Sequence, residues 1–405
     1  MKIIKIETIQ CKEFSNILWI RIHTDEGIVG TGETFRNPEA VATHIHETCA
    51  TYLLGKDPMR VDYLIGQLRH SIGSYYRGYP TRSVETRGTS AIDIALWDIV
   101  GQALNAPLYT LFGGLVNEKV RVYNTCASPQ YNAISRAGRE TVNPSSLLDA
   151  PKTGDDLWAQ FNAPDELAES LLEQGITAMK IWPFDRFAYN SQGREIRLSD
   201  IKQACEPIER IRKAVGDKMD ILLELHGLWL PQPARQIGKA IEEYGLYWVE
   251  EPMAMHRLDD LERYANEVST PVCGSECMGT KEWYRDAFAR GAIDIANFDI
   301  AWVGGLTESR KIAALADSFG RTIAPHDCTG PIVLAANNHL ALSQSNTLIS
   351  ECVRSHIDGF YQEIVTELPI IEDGYIQPTS GAGLGTRLSD KFLSRKDLTI
   401  REISL

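Results

Sequence analysis

No stretch of this chain has the roughly 18 consecutive apolar residues that a membrane span requires. The apolar segment AIDIALWDIV is interrupted by Asp93 and Asp98. The N-terminal segment MKIIKIETIQ alternates between apolar and polar residues, as a strand does, and lacks the apolar core of a signal peptide. We therefore expect a cytoplasmic protein with no membrane partner.

An excess of basic residues is also missing. The chain has 41 Lys and Arg against 54 Asp and Glu, a net charge of −13, which disfavours a nucleic-acid partner. An anionic substrate would therefore need local positive charge, from a metal ion or a few basic side chains. The eight cysteines form no CxxC pair, and we expect them to be reduced, mostly buried thiols.

Residues 1–118 have the pattern of a separate α+β unit, in which strand-like alternation is followed by helical apolar stripes. In the last of these helices Ile92, Leu96 and Ile99 lie on one stripe. The predicted strands are 2–9, 16–24 and 28–34, and the predicted helices are 39–54, 59–70 and 90–104.

From residue 119 the pattern changes to short apolar strands that alternate with amphipathic segments, which is typical of a parallel sheet closed into a (β/α)₈ barrel. We expect the barrel domain to span 119–369, and 370–405 to pack back on the N-terminal unit. The long connections 128–163 and 183–198 are candidate lids over the substrate. The eight predicted strands are VRVYNTCA, TAMKIWP, DILLELHG, LYWVEEP, TPVCGSE, IDIANFDIAWV, RTIAPHD and TLISECV.

Six consecutive predicted strands each end in an ionisable residue. Their spacing of 26, 26, 23, 27 and 25 residues is close to one strand–helix unit. The C-terminal ends of barrel strands meet at one mouth, so these side chains should form a ring. Crowded glutamates raise one another's pKa, and a hard cation such as Mg²⁺ relieves this repulsion. The six residues are Glu224, Glu250, Glu276, Asp299, His326 and Glu351.

Each acidic residue of this series, taken alone, has a simpler explanation as the N-cap of the following helix. The regular spacing favours a metal site formed by Glu224, Glu250 and Glu276. Zinc is an alternative, because Cys273 and Cys277 flank Glu276, but three carboxylates favour magnesium.

His326 follows Asp299 by one strand–helix unit, and a carboxylate beside an imidazole is the arrangement of a general base. His226 lies two residues after Glu224, and strand alternation predicts that both face the same side. His226 would then be a second proton-transfer group. A metal with two acid/base groups is equipped to remove a proton next to a carboxylate and to stabilise the resulting enediolate.

The chain resembles the mandelate racemase subgroup of the enolase superfamily over nearly its full length. The resemblance implies an α/β fold: a modified TIM barrel, (β/α)₇β, with an N-terminal α+β capping domain. It also implies a symmetric homo-oligomer. The matching segments are AIDIALWDIVGQALNAPLYTLFGG, WVEEP, GSE, FDIAWVGGLTES and APHD.

The resemblance assigns roles to the six ionisable residues at the strand ends. Metal ligands carry over to Glu224, Glu250 and Glu276, with Glu224 standing where relatives usually have Asp. The His–Asp dyad carries over to His326 and Asp299, and Glu351 takes the place of an acid that contacts the substrate carboxylate.

Two motifs narrow the reaction. The second-strand motif reads Lys180-Ile181-Trp182, so the second lysine of racemases and cycloisomerases is replaced by Trp182, which we expect to reshape the substrate pocket and contact the substrate. Lys180 either contacts the substrate carboxylate or forms a structural ion pair. Glu224-Leu225-His226 is similar to the Asp-x-His motif of galactonate-type dehydratases, whose histidine protonates the departing hydroxyl. The resemblance thus implies a Mg²⁺-dependent acid-sugar dehydratase that forms a 2-keto-3-deoxy sugar acid.

Other functions remain open. A racemase or epimerase of α-hydroxy acids would use His226 and His326 on opposite faces of the substrate. A cycloisomerase or acylamino-acid racemase is less favoured, because such relatives place lysine at Asp299. A non-catalytic sugar-acid binder is a further alternative. In the N-terminal unit, SYYRGYPTR contains Tyr75, Tyr76 and Arg77, which either contact the distal end of the substrate or form an ordinary surface loop.

Overall fold

The computed structural model describes residues 1–70, 83–129, 131–132 and 155–405. The N-terminal part forms a four-stranded antiparallel sheet with β1 (Ile3–Cys11), β2 (Ile17–Thr24), β3 (Val29–Phe35) and, from the C-terminal end of the chain, β14 (Leu398–Ser404). The order of the strands in the sheet is β14-β1-β2-β3. The last segment of the chain thus pairs with β1, while the predicted boundaries at 118 and 369 stay predictions.

Helices cover one face of this sheet. The longest, α4 (Val84–Ala103), begins at Ser83, whose hydroxyl caps the backbone N–H of Thr86. The others are α1 (Pro38–His44), a π-helical turn (Ile45–Cys49), α2 (Ala50–Leu53), α3 (Val61–His70) and α5 (Leu108–Leu111).

The described part of the barrel contains eight strands that pair in parallel, as the alternation predicted. Two backbone hydrogen bonds close the ring: the N–H of Leu348 donates to the oxygen of Ile323, and the N–H of Ile323 donates to the oxygen of Asn346. The strands are β4 (Val120–Thr125), β5 (Ala178–Ile181), β6 (Asp220–Glu224), β7 (Trp248–Glu250), β8 (Val272–Cys273), β9 (Ile295–Ala296), β10 (Thr322–Ile323) and β11 (Ser350–Cys352).

Helices follow the first seven barrel strands, which gives the (β/α)₇β arrangement. One prediction is corrected: the strand expected over IDIANFDIAWV ends at Ala296, and Ile300–Val303 is a helix that begins at the cap Asp299. The helices are α6 (Asp156–Asn162), α7 (Pro164–Glu173), α8 (Asp185–Ser191), α9 (Leu198–Val215), α10 (Pro231–Ile241), α11 (Leu258–Glu267), α12 (Lys281–Ala289), α13 (Ile300–Val303), α14 (Gly305–Ser318) and α15 (Pro331–Ser343).

The rest of the chain adds short elements. Short 3₁₀ turns follow α9 and α10 at Gly216–Lys218 and Glu242–Tyr244. After β11 come α16 (Arg354–Ile357), α17 (Tyr361–Ile364), β12 (Ile371–Glu372), β13 (Tyr375–Ile376) and α18 (Asp390–Leu393). Among the described helices, none is long and apolar enough to span a membrane.

A ring of buried side chains fills the barrel interior, with one residue from each strand or its immediate flank. Such a ring makes the barrel a packed core instead of a pore, so the polar groups at the mouth lie directly above buried side chains. Charged groups in this position are poorly solvated and need ionic or hydrogen-bond partners. The ring consists of Tyr123, Ala178, Leu222, Trp248, Cys273, Ile295, Ala324 and Ile349.

We predict that the protein loses stability as the pH falls, because two histidines are buried. Burial lowers the pKa of His339 and of His356 from 6.5 to about 4. Below pH 6.5 the unfolded chain binds protons that the folded protein does not bind until about pH 4. The stabilisation is therefore complete above pH 6.5 and is lost towards pH 4, by up to about 3 kcal/mol per histidine.

Urea unfolding followed across this pH range measures the effect. His356→Gln removes the titrating imidazole that faces the backbone oxygen of Ser128, at 3.0 Å. Its unfolding free energy should depend less steeply on pH than that of the wild type, whatever its absolute stability. An equally steep dependence would contradict the prediction for His356.

Candidate active site

The six ionisable residues that follow one another at intervals of about one strand–helix unit lie at the mouth of the barrel. Glu224 and Glu250 end β6 and β7 and lie side by side in the register of the two strands. Glu276 follows β8 by three residues, and Asp299 and His326 are joined by a backbone bridge beyond β9 and β10. Because parallel strands end at the same edge, residues far apart in sequence meet here.

A buried lysine occupies the centre of the carboxylates. The Nζ atom of Lys180, on β5, lies 3.1 Å from Oε1 of Glu250, 3.0 Å from Oε1 of Glu351 and 4.0 Å from Oε2 of Glu224. Burial lowers the pKa of Lys180, but the charges of Glu250 and Glu351 more than offset this and raise it well above its usual value. The ammonium is therefore held charged, which supports the ion-pair interpretation of Lys180.

The glutamates have further partners. Glu250 accepts a hydrogen bond of 2.5 Å from Nδ2 of Asn297, and Glu276 Oε2 lies 2.6 Å from Nε2 of His326. Within the described ranges, no three histidine, cysteine or acidic side chains converge closely enough to hold a metal as they stand.

The donor chemistry of Glu224, Glu250 and Glu276 nevertheless fits a hard divalent cation. Oε2 of Glu224 is buried and has no hydrogen-bond donor among the described residues. Burial, and then the neighbouring charge of Glu250, raise the pKa of Glu224 well above its usual value. A cation among these oxygens would relieve both effects, and an all-carboxylate set is typical of magnesium rather than zinc.

His326 is the most constrained imidazole of the mouth. Its Nδ1 lies 2.8 Å from Oδ2 of Asp299, which leaves Nε2 directed at Glu276 and Glu351, at 2.6 and 3.7 Å. Burial lowers the pKa of His326, but Glu351 and Glu276 more than compensate and raise it well above its usual value. Glu351 also accepts a hydrogen bond of 2.8 Å from the backbone N–H of Asp327.

His226 lies at the mouth, but in a turn after β6 and not in the strand itself, as had been predicted. The strand ends at Glu224, and His226 has a φ of 49°, outside the strand, so the argument from alternation was wrong. Its backbone N–H instead bonds to the Glu224 carboxylate. The ring packs edge-on against Trp182, with centroids 5.9 Å apart, and its Nδ1 lies 2.7 Å from Oδ2 of Asp185.

Asp185 is a residue that the sequence did not single out. It opens α8 directly after β5, in the connection that was predicted as a lid, where an acid is ordinarily interpreted as a helix cap. Burial lowers the pKa of His226, while the charge of Asp185 raises it, and the balance lies above the usual value. His226 and Asp185 therefore form a second imidazole–carboxylate pair.

Some predicted contacts cannot be compared with the structure. Tyr75, Tyr76 and Arg77 lie outside the described residues, as does most of the connection 128–163. From that connection Tyr131 is described, and its hydroxyl accepts a hydrogen bond of 2.7 Å from Nη2 of Arg36.

Comparison with known proteins identifies the family of the chain. The family described as "Mandelate racemase / muconate lactonizing enzyme, N-terminal domain" matches residues 4–113, and "Enolase C-terminal domain-like" matches residues 163–392. The chain therefore belongs to the mandelate racemase/muconate lactonizing enzyme family of the enolase superfamily. It is accordingly an enzyme with a small-molecule substrate.

Solved structures of similar proteins cover the whole chain. An enolase of the mandelate racemase subgroup from Agrobacterium tumefaciens, with a succinimide residue, is 42% identical, with a TM-score of 0.87 over 100% of this chain and 99% of that one. An enolase from environmental sequencing of the Sargasso Sea is 34% identical, with the same TM-score and coverage. A protein from Salmonella, named as a putative dehydratase, is 28% identical, with a TM-score of 0.85 over 100% of both chains.

Proposed function

We propose that this enzyme is a Mg²⁺-dependent acid-sugar dehydratase. One observation carries the proposal: the mouth holds two imidazoles, and a carboxylate fixes Nδ1 of each, at 2.8 Å for His326 and 2.7 Å for His226. Dehydration next to a carboxylate needs both a base for the α-proton and an acid for the β-hydroxyl. The resemblance to a Salmonella protein named as a dehydratase agrees with this choice.

His326 acts as the base. Asp299 holds its Nδ1–H, so Nε2 is the nitrogen that faces the proton at C2 of the substrate. A cation held by Glu276 would offset the charge that keeps Nε2 protonated, and would leave its lone pair available. As the C2–H bond breaks, its electron pair moves into the carboxylate and gives an enediolate. The nearby charge of Glu351 stabilises the imidazolium that forms.

His226 acts as the acid. It donates a proton to the hydroxyl at C3, which leaves as water while the enediolate electrons form the C2–C3 double bond. The resulting enol takes up a proton at C3 and becomes the 2-keto-3-deoxy acid. Trp182 packs against His226 and shields it on one side, and Asp185 holds the ring so that Nε2 is the donor.

Mg²⁺ held by Glu224, Glu250 and Glu276 would supply the positive charge that draws in the substrate carboxylate and lowers the energy of the enediolate. Lys180, already charged and buried at the same centre, adds to that field. A direct contact between Lys180 and the substrate, the specific sugar acid, homo-oligomer formation and a cytoplasmic location stay predictions.

A racemase or epimerase of α-hydroxy acids is the second candidate. The same pair of imidazoles favours it, since two bases at one mouth can work on opposite faces of an α-carbon. The two reactions share the first step and differ in whether the β-hydroxyl is lost.

The proposal is tested by screening a library of aldonic, aldaric and uronic acids with Mg²⁺, and detecting 2-keto-3-deoxy products as semicarbazones. A product that forms with the wild type and requires Mg²⁺ would support the dehydratase. A silent screen together with α-proton exchange in D₂O would favour the racemase or a dehydratase whose sugar acid is outside the library. No exchange with any acid, in a protein shown to hold metal, would favour a sugar-acid binder.

Asp185→Asn should slow dehydration roughly tenfold to a hundredfold and leave α-proton exchange intact. The variant keeps the size of the side chain but removes the charge that orients His226 and stabilises its protonated form. Rates of keto-acid formation and of exchange, measured on the same sample, check this.

Asp200→Asn is the matched control for Asp185→Asn. Asp200 lies in the first turn of α9, the helix that follows the connection 183–198, and accepts a hydrogen bond from the backbone N–H of Arg197. It should leave both rates unchanged. Equal losses of exchange and dehydration in Asp185→Asn would contradict a role confined to His226.

A further inference from the structure

Three consecutive residues at the end of β3, in the N-terminal sheet, contact the segments of the barrel that carry the His–Asp dyad. Glu33, Thr34 and Phe35 are each buried. None belongs to the ionisable series at the mouth, and the mechanism described above does not use them.

Glu33 reaches the helix that follows His326 along the chain. Its Oε1 accepts a hydrogen bond of 3.0 Å from the backbone N–H of Val333, in the first turn of α15, and its Oε2 accepts one of 2.6 Å from Nε1 of Trp19. A carboxylate at a helix N-terminus is favoured by the helix dipole. A Cβ at Gly330 would lie 2.5 Å from the Glu33 carboxylate, so the backbone passes very close to it.

The same helix holds His326. Nδ2 of Asn337, on α15, donates a hydrogen bond of 3.0 Å to the backbone oxygen of His326. The segment between His326 and α15 is four residues long, from Asp327 to Gly330. Any shift of the start of α15 therefore moves His326 as well.

Thr34 and Phe35 contact the two residues Ala301 and Trp302, which follow Asp299 in α13. Oγ1 of Thr34 donates a hydrogen bond of 3.0 Å to the backbone oxygen of Ala301, and the N–H of Ala301 donates one of 2.7 Å to Oδ1 of Asp299. Phe35 stacks on Trp302, with centroids 6.1 Å apart, and Trp302 packs 5.2 Å from the ring of His326.

The strand itself is firmly held. At Gly30 and Gly32 the backbone of β3 lies directly against the backbone of α4, at Ala95 and Ala91, where no Cβ would fit. The N–H of Thr31 donates a hydrogen bond of 2.9 Å to Asp98, also on α4. This packing makes β3 a fixed support.

We propose that Glu33 and Thr34 are positioning residues, through which the N-terminal sheet holds His326 and Asp299 in the geometry for proton abstraction. The proposal rests on the proposed function, in which His326 is the base. Burial raises the pKa of Glu33 to about 8, whereas its N–H donors favour the charged form. Both donors require an acceptor, so an amide at this position would lose one of the two hydrogen bonds.

Glu33→Gln and Thr34→Val test the proposal, because each keeps the size of the side chain. With an acid that the enzyme converts, each should lower kcat about tenfold with KM unchanged. The deuterium isotope effect at C2 should rise, since a misplaced base makes proton abstraction more rate-limiting. A variant that only loses folded protein would show a lower apparent kcat with the wild-type isotope effect.

Glu7→Gln is the control for the same exchange elsewhere in the sheet. Glu7 is buried on β1 and accepts hydrogen bonds of 2.6 Å from Nζ of Lys5 and 2.7 Å from Nε of Arg21, which belong to the sheet and not to the barrel. Glu7→Gln should reduce stability and leave the isotope effect unchanged.

A second measurement needs no substrate. In protein labelled with ¹⁵N-histidine, the Nδ1–H resonance of His326, identified by its loss in His326→Asn, should shift in Glu33→Gln and in Thr34→Val but not in Glu7→Gln. A wild-type resonance in both variants would overturn the proposal. If no acid is converted, the proposed function fails, and this resonance still decides whether β3 positions His326.

Discussion

Replacing His326 with Asn is expected to abolish α-proton abstraction, with exchange and dehydration both falling by about 10³-fold or more. Asn has similar size but no nitrogen basic enough to take the proton from C2. Among the described residues, Glu351 does not replace it, because Lys180 and the N–H of Asp327 already occupy its carboxylate. Proton exchange in D₂O and product formation, measured on the purified variant, check this.

His339→Asn is the matched control for the loss of an imidazole. His339 is fully buried in α15 and accepts a hydrogen bond of 3.4 Å from the backbone N–H of Tyr109, away from the dyad. This variant should keep the exchange rate per folded molecule. Exchange that persisted in His326→Asn would mean that another group is the base.

His226→Asn should separate the two halves of the reaction. We expect dehydration to fall by about 10²- to 10³-fold while α-proton exchange continues, because His326 and Asp299 are untouched. The substrate would lose and regain its C2 proton without losing the β-hydroxyl. Keto-acid formation and deuterium uptake, followed in the same reaction, measure the two rates.

A different pattern would reassign His226. If His226→Asn abolished exchange from one enantiomer of the acid and spared the other, the histidine would be a second base and the enzyme a racemase. If both rates stayed at wild-type levels, the pair of His226 and Asp185 would have no catalytic role.

The arrangement of the barrel could be predicted because it depends on a repeated local pattern. Apolar strands and amphipathic helices recur at intervals close to 25 residues, and any barrel built from them brings the strand ends to one mouth. The meeting of Glu224 with Glu250 and of His326 with Asp299 follows from that register alone.

The pairing of His226 with Asp185 could not be predicted in this way. His226 lies in a left-handed turn beyond the strand, where alternation no longer determines direction. Asp185 belongs to a different strand–helix unit, and a single acid after a strand resembles an ordinary helix cap. Only the folded backbone brings the two side chains to 2.7 Å.

The position of Lys180 shows a similar limit of the sequence pattern. The spacing of the glutamates predicted that several carboxylates lie close together, and it indicated that a metal ion balances their negative charge. The structure adds a buried ammonium within 3.1 Å of Glu250 and of Glu351, so part of that charge is balanced by the chain itself. A lysine inside a strand does not reveal which neighbouring strands its long side chain will reach.

The most direct test of the dehydratase is to incubate the wild-type enzyme with Mg²⁺ and the acid library in D₂O, and to locate the deuterium by NMR. Dehydration places one deuterium at C3 of a 2-keto-3-deoxy acid, since the enol takes its proton from solvent. Deuterium at C2 of recovered acid, with no keto acid formed, would contradict the account and identify the enzyme as a racemase or epimerase.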